Sequence, residues 1–235
     1  MGQRYERYLT FPIVIMKESL KDINNCISEA MAYCLYDNCQ RSGCTPEQSA
    51  NFFGIKYGNL QRSYKLGKTL DDSIPSKSPK TSINKEMMFD FLKNNKTEFE
   101  VVCFLAFAAI RSIIQRQPYA KITNDYLLGR MSGNAGKGAD INPSLKKYTT
   151  RYQLDKIKTE LQLKWGLQLY ARQTRGFYVS FKMPLKDLIR QAELRRNKHK
   201  EKELRRKKTE ILKEVLGELR PADTIPIHAV KRMVI

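Results

Sequence analysis

Between Val101 and Ile114 the chain presents large apolar side chains in almost every direction around a helix: Val101, Val102, Phe104, Leu105, Phe107, Ile110, Ile113 and Ile114. A helix that is apolar all round has to be wrapped by other parts of the chain before it is stable in water. The longest apolar run, Val101 to Ile110, is only about half of what a bilayer crossing needs. The segment is therefore expected as the buried centre of a domain. Its ends are marked: Thr97 with Glu100 makes a capping box, and Pro118 forbids continuation, so the helix should run from Thr97 to Gln117.

Upstream, Ile15, Leu20, Ile23, Ile27, Met31, Cys34 and Leu35 recur at helical spacing and predict one long helix from about Lys17 to Asn38. Gly43 and Pro46 break it, and Thr45 with Gln48 caps a second helix reaching Phe53. Ala50 and Gly54 give this region the look of a helix-turn-helix. A third helix from Leu60 would expose Asn59, Gln61, Arg62, Ser63 and Lys65. Asp71 to Ile83, with Pro75, Pro79 and several serines, reads as an exposed linker. The expected organisation is an N-terminal helical domain over 1–70, a linker over 71–83 and a second domain over 84–183. A long basic helix over 184–220 and a tail over 221–235 complete it.

Downstream of the apolar helix the pattern changes character. Tyr119 to Ile122 suits a short strand, and Thr123 caps a helix whose Tyr126, Leu127 and Met131 face the core. Ser132 to Gly138 is a glycine-rich insertion that lacks the residues of a phosphate-binding loop, since Met131 and Gly138 stand at two required positions. A further helix from Thr150 to about Leu163 places Leu154, Ile157, Leu161 and Trp165 on one face. Arg151, Gln153, Lys156 and Thr159 then lie near the other face, with Tyr148, Thr149 and Tyr152 at its start. Leu167, Leu169, Phe177, Val179 and Phe181 alternate as two strands around a turn bearing Arg172 and Arg175. Arginine and glutamine suit base edges in a major groove; lysine, threonine and tyrosine suit phosphates.

Lys121 to Phe181 resembles the winged helix-turn-helix superfamily, and within it modules of bacterial and phage transcription regulators and plasmid replication initiators. The fold class that follows is mainly α. The second domain would be a winged helix-turn-helix with a small β-hairpin, followed by the long C-terminal helix. The resemblance implies that Arg151, Gln153 and Lys156 approach a major groove, while Arg172 and Arg175 on the wing touch the neighbouring one. Lys146, Lys147, Thr149 and Thr150 complete the expected nucleic-acid surface. The glycine-rich insertion departs from the compact form of the superfamily.

Charge supports a polyanionic partner. The net charge is +19, and residues 121–181 carry 11 basic against 4 acidic side chains. Residues 182–213 carry 13 against 5, within a helix expected from Leu185 to about Leu219. Arg195 to Lys208 is charged almost throughout, whereas Ile211, Leu212, Val215, Leu216 and Leu219 form an apolar end suited to homodimerisation. Arg62, Lys65, Arg195, Arg196, Arg205 and Arg206 are candidates for a second nucleic-acid surface. Double-stranded DNA is the expected partner, with RNA binding or a protein-interaction scaffold as alternatives.

No catalytic constellation is evident, so neither enzyme activity nor a cofactor is expected. His199 and His228 stand apart, and Cys26, Cys34, Cys39 and Cys44 lack the paired spacing of a zinc site. Without a signal-peptide pattern the five cysteines point to reduced thiols. The expected location is cytoplasmic, on the nucleoid if the source is bacterial, with no membrane partner.

Overall fold

Asp22 decides where the first long helix begins. The computed structural model describes residues 8–136, 140–171 and 176–218. In it the Asp22 carboxylate accepts from the Asn25 N–H at 2.9 Å and starts helix α1 (Ile23–Ser42). The preceding residues from Lys17 do not join that helix, although the apolar spacing predicts that they should. Ile13–Glu18 instead forms a 3₁₀ turn, and the Ser19 hydroxyl closes it on Met16 O at 2.7 Å. Gly43 ends α1 in the left-handed region with φ +64°. Helix α2 (Pro46–Phe53) follows with its Thr45–Gln48 capping box, and Gly54 closes it at φ +60°. Helix α3 (Leu60–Ser73) then returns along α1. Gly67 permits that approach, because any Cβ there would collide with the Ala32 carbonyl oxygen.

The segment expected as a linker has a structural role. Lys80–Asn84 is strand β2, antiparallel to β1 (Tyr8–Pro12), with Leu9 opposite Ile83 and Phe11 opposite Thr81. Thr81 and Ile83 are buried, and the Thr81 hydroxyl donates to Ala108 O at 2.9 Å. Residues 71–73 belong to α3. Composition pointed to turns here, but alternation over only five residues was enough to make a strand once β1 offered an edge. One cluster of buried residues spans 71–83, joining Leu9 and Phe11 of β1, Ile27 and Tyr33 of α1 and Ile83 of β2 to residues as far as Val179.

Helix α4 (Lys85–Lys93) leads to α5 (Glu98–Ile114), in which every residue from Val101 to Ile110 is buried. The Thr97 hydroxyl accepts from the Glu100 N–H, and Glu100 Oε2 accepts from the Thr97 N–H at 2.9 Å. Strand β3 (Ala120–Ile122), helix α6 (Asn124–Met131), a 3₁₀ turn (Pro143–Tyr148), helix α7 (Arg151–Trp165) and strands β4 (Gln168–Tyr170) and β5 (Phe177–Ser180) follow in order. The last strand takes the middle of the sheet, giving the order β3-β5-β4, all antiparallel.

Helix α8 (Leu185–Glu218) crosses from this first unit, which ends at Leu188, into a second that begins at Ile189. Within the second unit the stretch from Lys198 to Glu214 is exposed throughout, as its composition predicts. Short-range ion pairs line it, such as Arg206 with Glu210 at 3.3 Å. Of the expected apolar end, Ile211 and Leu212 are exposed. The side chains of Val215 and Leu216, together with Leu219 and the 221–235 tail, lie outside the described residues.

Candidate nucleic-acid interface

Helix α7 is fixed at both ends and along one side. The Thr150 hydroxyl accepts from the Gln153 N–H at 3.3 Å, and Gly166 ends the helix at φ +67°. Leu154, Ile157 and Leu161 are buried at the predicted spacing, and Trp165 is half-buried with its ring 4.8 Å from Phe107 and 6.3 Å from Phe104 of α5. The inner face therefore rests on the apolar helix that the sequence marks as the centre.

The outer face is set by the same periodicity. Tyr152, Lys156, Thr159 and Leu163 follow one another at spacings of four, three and four and are all exposed, Tyr152 at 74% and Leu163 at 77%. Arg151 at the helix start has a side chain 93% exposed, 3.8 Å from Asp155. Sequence reasoning placed Tyr152 only at the helix start and missed Leu163, which continues the same stripe.

Most of the expected cations here are already engaged. Lys147 Nζ lies 2.6 Å from Glu98 Oε2, and that carboxylate raises the lysine pKa above its ordinary value. Lys156 keeps an exposed stem, but its ammonium sits 4.8 Å over the Phe99 ring. Lys158, not expected to matter, is buried against the Phe177 ring at 4.4 Å and paired with Asp155 at 3.2 Å. Lys164 pairs with Glu160 at 2.6 Å. Lys146 remains exposed on the 3₁₀ turn.

Gln153 and Tyr148 are less exposed than their places in the sequence predict. Gln153 is half-buried on the flank of α7 rather than outward, because it stands about 100° around the helix from Tyr152. Tyr148 is buried, with Lys147 Nζ 5.5 Å from its ring centroid. The Thr149 and Thr150 hydroxyls are used locally: the first donates to Lys146 O at 2.7 Å and the second caps α7. Arg172 and Arg175 lie outside the described residues. On the N-terminal helices Arg62 and Lys65 are exposed on α3, but the Asn59 side chain accepts from the Arg62 N–H at 2.9 Å and is spent as a cap. In the second unit Arg195, Arg205 and Arg206 are exposed, while Arg196 is partly covered and 3.6 Å from Glu193.

The thiols are mostly inert. Burial raises the Cys26 and Cys103 pKa values to about 12 and that of Cys39 to about 11. Among the described residues there is no cluster of three or more histidine, cysteine or acidic side chains able to hold a metal ion. No described helix is long and apolar enough to cross a membrane. No family model, no curated protein and no solved structure matches the chain.

Proposed function

We propose that residues 98–180 form a winged-helix module that places α7 in the major groove of double-stranded DNA. The protein then serves as a sequence-specific DNA-binding protein, a transcription regulator or replication initiator of a bacterial or mobile genetic element such as a phage or plasmid. The observation that carries the reading is the order helix, strand, helix, helix, hairpin, in which α7 is held on α5 by one face and leaves the other bare. The chain's +19 charge supports the same class of partner.

On this reading the roles shift from those the sequence suggests. Arg151, Tyr152, Lys156 and Thr159 face the groove, and Leu163 offers apolar contact to a thymine methyl. Lys146, together with the free N–H groups of the first turn of α7, meets phosphate. Gln153 supports the flank of the helix.

The deciding experiment is a titration of the full chain against duplex DNA, single-stranded DNA and duplex RNA at several salt concentrations, followed by selection from a random duplex library. The expected result is preference for duplex DNA, steep loss of affinity with salt, and an enriched site whose preference changes on Arg151→Ala. Equal affinity for all three probes and no enriched sequence would sink the reading.

A further inference from the structure

Away from α7, six basic side chains gather around one open cleft of about 1070 Å³: Arg41, Lys77, Lys80, Arg111, Arg116 and Arg130. They come from the end of α1, from β2 and the turn before it, from the end of α5 and from α6. Among the described residues no carboxylate lines the cleft. The acid next to it is Asp37, which holds Lys80 at 3.1 Å and Arg41 at 3.0 Å. The C-terminal ends of α1 and α5 each subtract about half a charge, so the cleft retains a net of about +4.

Arg130 shows that this is more than a solvated patch. It is only 4% exposed. Its Nη2 donates to the Tyr126 hydroxyl and to Ala135 O, the latter at 3.0 Å. Its Nε and Nη1 are buried with no hydrogen-bond partner. A buried guanidinium with idle donors is costly unless something supplies acceptors. At the rim, Lys77 and Arg116 are exposed, and Ser76 and Ser78 stand beside them.

We infer that this cleft binds the sugar-phosphate backbone of a nucleic-acid strand, as a second and sequence-independent contact. The inference rests on the reading of the chain as a DNA-binding protein. Cations spread over four elements match phosphates spaced along a strand better than one compact anion. Lys77 and Arg116 would hold neighbouring phosphates at the rim, while the Arg130 guanidinium beneath the floor adds its charge. The cleft reads no base, so it adds affinity and salt dependence without specificity.

The test uses the full chain and a labelled random-sequence duplex of about 30 base pairs, between about 50 and 200 mM salt. Lys77→Ala combined with Arg116→Ala, both at exposed positions, should weaken binding about tenfold and reduce the salt slope by about two. Arg130→Met should weaken binding by a similar factor, with thermal melting confirming the fold. Unchanged affinity and slope in both variants would overturn the cleft. Tyr152→Ala combined with Lys156→Ala, on the same probe, separates the two readings. If it loses binding while the cleft variants keep theirs, only the α7 reading survives; the reverse leaves only the cleft. A wild-type chain that binds tripolyphosphate but no duplex would overturn the assignment to a nucleic-acid strand.

Discussion

The outer face of α7 and the cleft at the end of α5 both collect positive charge, but they hold it in different states. On and beside α7, Lys147, Lys158 and Lys164 face carboxylates and Lys156 faces a ring. In the cleft, Lys80, Arg111 and Arg130 also face tyrosine rings, but one carboxylate outside the lining answers only two of six cations, and Arg130 keeps two buried nitrogens without partners. A count of basic residues does not distinguish these cases. What a phosphate meets is the charge left over after the protein has paired its own groups. On the two proposals together, α7 would supply shape and discrimination and the cleft would supply grip.

The sharpest way to break this division is charge reversal in the cleft. Lys77→Glu with Arg116→Glu should cost about a hundredfold in duplex affinity at low salt, measured by fluorescence anisotropy, because repulsion replaces attraction at two positions. A loss no greater than that of the matching reversal at Arg62 and Lys65 on α3 would make the cleft an ordinary basic surface.

Arg130→Met sets stability against binding. Replacing a partly unsatisfied buried charge by an apolar side chain of similar length should leave the urea midpoint unchanged or raise stability by about 1 kcal/mol. Duplex affinity should fall in the same variant. A clear destabilisation would mean that the guanidinium serves the fold rather than a ligand.

Gln115 lines the same cleft and is the one described non-glycine residue with positive φ, at +50° with ψ −118°. Those angles are those of the first central position of a type II′ turn, which favours glycine, and the Gln117 N–H donates to Ile114 O at 2.9 Å to close it. Gln115→Gly should therefore stabilise the chain by about 1 kcal/mol in chemical unfolding. Destabilisation would show that the glutamine side chain holds the turn.

On the α7 side the expected effects are smaller. Glu98→Gln releases Lys147 from an exposed ion pair and should raise duplex affinity by about twofold, since such pairs are worth at most about 1 kcal/mol. Weaker binding would place Glu98 itself at the interface. Smallest of all is an acid effect at the cap of α5. The Thr97 backbone N–H, then its hydroxyl, and then Lys96 and Lys164 lower the Glu100 pKa, against desolvation. Its contribution is present above the ordinary carboxylate value of 4.5 and is lost as pH falls through the lower folded value. Between neutral pH and pH about 3, Glu100→Gln should show a slightly shallower loss of stability than the wild type. Identical pH profiles would remove Glu100 from the cap.

Much of the fold was legible because local rules sufficed. Thr45, Thr97, Thr123 and Thr150 each cap the helix they announce, and Leu154, Ile157 and Leu161 are buried where a 3.6-residue period puts them. The misreadings share a cause. Lys80–Asn84 became a strand because β1 lay across from it, 68 to 76 residues away in the chain. Residues 17–22 left the expected helix because of one aspartate cap. Gln153 and Tyr148 turned inward because their neighbours, not their own chemistry, decided the exposed sector.

The sequence by itself determined that α5 lies at the centre and that α7 and the hairpin follow it. Those conclusions depend on side-chain type and on spacings of three or four residues, both of which are written along the chain. Only the tertiary structure decided which cations are spare. Pairing acts through space over a few ångströms, and the residues of the cleft, from Arg41 to Arg130, are brought together by packing that no local window contains.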